Sequence, residues 1–377
     1  MSNRDAGHAS SATSFPRARV GPLSRLRYHR RMTLGARFES EAREQPEALE
    51  RLLTQGRPVA EAVARSIRDH APSYALVAAR GSSDNAARYA QYLFALHNEL
   101  TVALAVPSVH TLYDVHPDTR GALVLGISQS GQSPDVVAVL EAARRQGSLT
   151  VAITNDASSP LAAAAAHSLP LLAGPEHAVA ATKTFTTSLL AIALLSAALE
   201  GREERWRELA QVPAYVRETL ESNDALVVDA LGDARHLVVV GRGFNYATAH
   251  ELALKLKETS YVVAEPYSTA DLLHGPFALI EPRFPVVLVA PSGRALDGHL
   301  ELLDTLAERE ALLVAISDDE RVLGRAEVPV RLPNGLPEWL SPFAAAAAGQ
   351  LLSLAVARRR GLNPDCPRGL SKVTRTR

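Results

Sequence analysis

The sequence predicts an α/β protein built from two copies of one parallel-sheet unit. Short runs rich in Val, Ile and Leu alternate with helical stretches, as they do where crossover helices cover both faces of a parallel sheet. The halves also repeat each other's spacing. Gly81 of "ARG" and Gly131 of "SQSG" are 50 residues apart, as are Gly243 of "GRG" and Gly293 of "PSG". "VAITND" and "VAISDD" then follow in register, which points to duplication rather than chance.

In chain order, the strand candidates of the first half are "YALVAARG", "TVALAVPS", "GALVLGISQSG", "LTVAITND" and "SLPLLAG". Those of the second are "HLVVVGRG", "YVVAEPYS", "FPVVLVAPSG", "ALLVAISDD" and "EVPVRLP". The expected organisation is an extension over 1–31, a first unit over 32–200, a helical linker over 201–232, a second unit over 233–360 and a tail over 361–377. The extension holds seven arginines and one acid among scattered Gly, Ser and Pro, and reads as disordered. Its Arg-rich, acid-poor composition also describes a transit peptide; a flexible extension, or a start misplaced upstream of Met32, is the simpler reading.

A formal net charge of −1 gives no electrostatic case for nucleic acid or an anionic membrane surface. No apolar stretch suggests a membrane span, and "SLLAIALLSAAL" reads as a buried helix. A single cysteine, Cys366, cannot form an intramolecular disulfide or a multi-cysteine metal site, which fits a reducing cytoplasm. No metal or cofactor is expected. Of 40 Lys+Arg, only Lys183, Lys255, Lys257 and Lys372 are lysine. Arginine cannot replace a lysine that must act as a neutral amine, so these four are worth following.

Ligands of open parallel sheets bind beyond the carboxyl ends of the strands. There, "GISQSGQSPD" places Ser128, Gln129, Ser130 and Ser133 around a glycine, just before a helix opened by Pro134. Hydroxyls and helix N-terminal amides suit a phosphate monoester of about −1.5 to −2 charges. The alternative is that the serines merely cap the helix. The equivalent "APSGRALD" has lost most of these hydroxyls, so one phosphate site per chain is expected. "GISQSG" lacks the second glycine of a nucleophile elbow, "VVGRGFNYA" the third of a dinucleotide fingerprint, and "HELALKLKE" the second histidine of a zinc motif. At helical spacing Glu251, Lys255 and Glu258 share one face, while Lys257 points away. A solvated i, i+4 pair is the plain reading of that face. His274, before Gly275-Pro276, is a candidate acid/base group on a loop near the same edge.

"ARGSSDNA", "ISQSGQSPD", "AGPEHAVAATKTF", "HELALKLKETS", "DLLHGP" and "NPDCPRGLSKVTRT" together resemble the sugar isomerase (SIS) tandem-domain family. They are most similar to the isomerase half of glucosamine-6-phosphate synthase and to stand-alone amino-sugar-phosphate deaminases built like it. The resemblance implies two flavodoxin-like SIS domains, each with a five-stranded parallel sheet, in a homodimer with shared active sites. By position, Ser83, Ser128, Gln129, Ser130 and Ser133 would hold the sugar phosphate, with Ser82 and Val179 among the substrate contacts. Glu258 would shuttle a proton between C1 and C2, supported by Lys255 and Glu251, and Lys372 would meet the C2 carbonyl or imine as a free amine. His274 would open the sugar ring from the neighbouring subunit.

The chain departs from the synthase pattern at Ala181, where a serine is expected, and at Arg80, where a cysteine is. It also carries Ser2 and no glutaminase domain, which argues against glutamine-dependent synthesis. The expected activity is deamination of glucosamine 6-phosphate to fructose 6-phosphate and ammonia. The competing readings are a phosphosugar aldose–ketose isomerase and a phosphosugar sensor without catalysis.

Overall fold

The computed structural model describes residues 34–372, so the expected extension over 1–31 and residues 373–377 lie outside the described residues. All ten expected strands form. In the first half these are β1 (Tyr74–Ala79), β2 (Val102–Leu104), β3 (Ala122–Ile127), β4 (Leu149–Thr154) and β5 (His167–Pro170), in the order β2-β1-β3-β4-β5. The second half repeats the pattern with β6 (His236–Gly241), β7 (Val263–Tyr267), β8 (Pro285–Val289), β9 (Leu312–Ser317) and β10 (Val328–Arg331), ordered β10-β9-β8-β6-β7. Every pairing is parallel. The duplication read from two glycine spacings is therefore a duplication of topology.

The interior strands β3 and β9 are buried at every position, whereas the edge strand β10 alternates between buried and exposed. Helices on both faces leave the central strands no polar side, so their sequences are continuous apolar runs. In β3 this packing is close enough that a Cβ on Gly126 would meet Leu140 and Leu161 at 2.7–2.9 Å.

After its fifth strand each half sends a long helix through the centre: Lys183–Glu200 and Ser341–Arg359. By length and hydropathy alone either could cross a membrane, but 89% and 94% of their apolar windows are buried inside the molecule. A helix that is apolar all round belongs in a core when neighbours surround it. Lys183–Glu200 packs against the helices Gln45–His70 and Ser82–Asn98, while Ser341–Arg359 packs against Asn245–Ser260. One hydrophobic cluster runs through these helices and both sheets. Residues 201–232 contain the helices Glu203–Leu209 and Val212–Ser222 and a 3-10 turn, Asp229–Leu231.

The central helix gives a stability test. Leu194 is fully buried and lies against the close approach of Gly56. Leu194→Ala should lower unfolding free energy by about 2–5 kcal/mol, read as a lower denaturant midpoint with an unchanged slope.

Candidate active site

Five segments converge at the carboxyl edge of the first sheet, around a cavity of about 340 Å³. β1 ends in Arg80-Gly81, and Gly81 takes φ 56°, ψ −131°, a conformation that turns the chain sharply into the helix Ser82–Asn98. β3 runs into the loop Ser128–Ser133 and then the helix Pro134–Arg145. In that loop Gly131 has φ 61°, and a Cβ there would lie 2.1 Å from the Ser159 hydroxyl, so only glycine fits. Ser128 Oγ accepts from the Gly131 N–H (3.1 Å) and Ser130 Oγ from the Gln132 N–H (3.3 Å), which fixes the loop.

Ser133 is the N-cap residue of the following helix but makes no capping bond with its side chain, and it lines the cavity with Ser83, Ser128, Gln129 and Ser130. A residue type favoured for capping, placed at the cap and not capping, leaves its hydroxyl available to a ligand. Val179 and Ala181 form part of the opposite wall. Arg80 also lines the cavity, its Nε held 2.7 Å from the buried carboxylate of Asp135 in the helix's first turn.

Glu258 enters the cavity from the second half, on the helix Asn245–Ser260. Lys255 Nζ lies 2.5 Å from Glu258 Oε2 and 3.4 Å from Glu251 Oε1. Glu251 and Lys255 are buried and Glu258 is half-buried, which sets aside the plain surface-pair reading. Glu251 also accepts from Ser82 Oγ at 2.9 Å and Asn85 Nδ2 at 2.8 Å, and Lys255 Nζ reaches Ser82 Oγ at 3.3 Å. Ser82 thus lines the cavity as expected, but its hydroxyl is engaged by this network. Burial pushes the Glu251 carboxyl up, only partly opposed by the Lys255 charge. Burial alone would lower the Lys255 ammonium, but the charges of Glu251 and Glu258 outweigh it and raise it. Glu251 and Lys255 do not line the cavity; they stand behind Glu258.

The tail folds back over the site. Asp365 accepts the Arg37 and Phe38 N–H groups at the start of the helix Ala36–Arg43 (3.0 and 2.8 Å), and the Arg368 guanidinium sits 3.8 Å over the Tyr261 ring. Lys372 then reaches the cavity, its Nζ donating to Glu176 Oε2 at 2.6 Å. Glu176 was not singled out from the sequence, although it lies within "AGPEHAVAATKTF". It also accepts from the N–H groups of Thr182 and Thr184, both at 3.0 Å, at the start of the helix Lys183–Glu200. An acid between Gly-Pro and a Thr-rich helix start was the available signal.

Two further residues singled out in the sequence lie away from the cavity of the single chain. Lys183 does not line the cavity; it is buried against Glu44. His274 is exposed beyond the helix Thr269–Leu273 and is not brought to the cavity within one chain. Lys257 is exposed, as its helical position implies.

The SIS domain family matches residues 72–198 and 230–323, and the chain belongs to this family. Glutamine–fructose-6-phosphate aminotransferase (isomerizing) of Pyrococcus horikoshii is 36% identical over 305 residues, covering 79% of this chain and 51% of that protein. The chain therefore spans about half the length of such curated relatives. A Silicibacter pomeroyi structure, provisionally named a phosphosugar isomerase, is 37% identical with a TM-score of 0.78, over 87% of this chain and 99% of that one. Glucosamine-6-phosphate deaminase of Thermotoga maritima matches with a TM-score of 0.72 over 90% of this chain and 100% of that one; at 23% identity this shows the fold alone.

The Glu176–Lys372 pair has a pH signature. Burial would raise the Glu176 carboxyl, but the charge and hydrogen bond of Lys372, with the Thr184 bonds, hold it below the ordinary 4.5. A folded-state value below the unfolded one contributes stability above pH 4.5 that is lost as the pH falls through the folded value. A fluorophore on Cys366 should therefore lose anisotropy on acidification below about pH 4.5. Glu176→Gln should show the loosened tail already at neutral pH.

Proposed function

We propose that the first cavity binds an open-chain amino-sugar 6-phosphate and converts glucosamine 6-phosphate to fructose 6-phosphate with release of ammonia. The observation that carries this reading is that Glu258 and Lys372 share one cavity with the hydroxyl-bearing loop Ser128–Ser133. The loop takes the phosphate, which sets C1 and C2 towards the two side chains. Glu258 removes the proton from C2, giving an enolamine, and returns it to C1, leaving an imine at C2. Lys372 gives its proton to the imine nitrogen, its amine attacks C2 and ammonia leaves, with Glu176 holding the lysine in place. Water then hydrolyses the new imine, releasing the ketose and regenerating the lysine. Glucosamine 6-phosphate and water are consumed; fructose 6-phosphate and ammonia are formed.

The names of the curated relatives, glutamine–fructose-6-phosphate aminotransferase, give amination of the ketose phosphate and weigh against deamination as this chain's reaction. The name of the Silicibacter relative favours a second reading, aldose–ketose isomerisation without loss of nitrogen. Ammonia measured from purified protein and glucosamine 6-phosphate separates them: interconversion of neutral hexose phosphates with no ammonia would overturn deamination. Glu258→Gln should lower kcat by about 10²–10⁴-fold while fructose 6-phosphate still binds. Lys372→Arg keeps the charge and removes the amine, so full activity in that variant would sink the imine step.

His274 enters this scheme as the ring-opening acid/base of a second copy of the chain. Its neighbours Leu273 and Leu279 are each 51% exposed, apolar surface that a subunit contact would cover. Glu258→Gln and His274→Ala are expected to be inactive alone and, mixed and re-paired, to regain up to about a quarter of wild-type activity, since one site in the mixed dimer is intact. No recovery on mixing would argue for sites complete within one chain.

A further inference from the structure

A second cavity, of about 1200 Å³, opens where the duplication repeats the first one. Arg242-Gly243 follows β6 as Arg80-Gly81 follows β1, and Ser292-Gly293-Arg294-Ala295 follows β8 as Ser130-Gly131-Gln132-Ser133 follows β3. The cavity thus lies at the carboxyl edge of the second sheet, where such sheets bind ligands.

Its chemistry differs from that of the first. The hydroxyls are gone, as the sequence indicated, but Arg242 and Arg294 line the space instead. Among the described residues neither guanidinium has an ion-pair or hydrogen-bond partner. Arg205, by contrast, is clamped by Glu200 and Glu208 at 2.8 and 2.9 Å and serves as wall. The one carboxylate in the lining, Glu338, packs on Gly293 and accepts the Arg294 N–H at 3.0 Å. That loop amide is taken by a side chain, as the Gln132 N–H is by Ser130 Oγ in the first loop, and with the hydroxyls gone an anion here would be held by the arginines. Tyr92 and Tyr246, both half-buried, supply apolar walls beside the arginines, while Phe244 and Trp339 lie buried beneath them, with the Arg205 guanidinium over the Trp339 ring.

We propose that this second cavity is a separate binding site for a phosphorylated sugar, with Arg242 and Arg294 holding the phosphate and the ring lying against Tyr92. The expectation of one phosphate site per chain, drawn from the lost hydroxyls, is thereby revised: arginines replace them. The inference rests on the duplication and on the unpaired charges, and is independent of the reaction assigned to the first cavity.

Calorimetric titration of the full chain with fructose 6-phosphate tests it. Wild type should bind two equivalents per chain. Arg242→Gln/Arg294→Gln should bind one, and Ser130→Ala/Ser133→Ala should bind one that the arginine changes then remove. The equivalent retained by each double variant shows that the chain is folded. Each single arginine variant should weaken only the second equivalent, by about tenfold or more, as expected for a lost charge-assisted contact. One equivalent in wild type that persists in the arginine variant, two that both persist there, or loss of both on removing the arginines would overturn the proposal. Failure of the first-cavity reading looks different: a single equivalent, insensitive to the serine changes and abolished by the arginine changes.

Discussion

The buried ammonium of Lys255 constrains the rest of the site. An isolated charge at that depth is costly, and removing one partner of a buried pair strands the other. Lys255 is matched by Glu251 and Glu258 on its own helix, but the second half does not complete the network by itself. Ser82 and Asn85, on the helix that follows β1 in the other half, supply the remaining bonds. The two sheets therefore cannot shift against each other without leaving buried polar groups unmatched. That requirement keeps Glu258, carried by the second half, in one cavity with the serine-rich loop carried by the first. Arginine would suit this position poorly, because its planar fork needs more room and a different set of acceptors than a compact ammonium. A chain that uses arginine almost everywhere has kept lysine here for a packing reason as well as a chemical one.

Much of this was legible because it is local. Strand runs, glycine turns and the serine-rich loop each follow from a few consecutive residues, and all ten strands lie where the apolar runs placed them. Pairings across the chain left weaker traces. Glu176 reads as one acid in a loop until the tail, 196 residues on, delivers Lys372 to it. Ser82 reads as a ligand hydroxyl beside Ser83, and only the approach of the helix Asn245–Ser260 shows that it is already engaged. Lys183 was rightly marked as unusual for this chain, but rarity could not reveal that its partner is Glu44 rather than a ligand. For His274, the sequence offered a residue type and a turn, and among the described residues it stands exposed.

Duplication explains both the economy and the asymmetry of the molecule. Each half contributes the same sheet order, the same sharp turn after its first strand and the same long apolar helix after its fifth. Once one copy carries the hydroxyl loop, the other is free to change its strand ends, because the core requirements lie within the strands and helices. The second copy used that freedom on the helix Asn245–Ser260, which faces the first copy's cavity. The residues that line the cavity thus come from both units although it opens at the edge of only one sheet.

The tail extends the same logic to the ends of the described chain. Ordering a terminal segment costs backbone entropy of about 1–2 kcal/mol per residue, so it stays in place only if several contacts offset that cost. The first of these involve the other end: Asn363 accepts the Gly35 N–H at 2.8 Å, and Asp365 caps the helix Ala36–Arg43. Carboxylates are favoured there because the unpaired N–H groups of a helix start carry partial positive charge. Arg368 on Tyr261 then directs the chain towards the cavity, and Lys372 ends on Glu176. Tyr261 itself closes the helix that carries Glu258, with a left-handed φ of 55°. The aromatic ring that guides the tail is therefore tied to the helix that carries Glu258. A displacement of that helix would move the carboxylate and loosen the path of the amine together, so the two groups that share the cavity are positioned by one element.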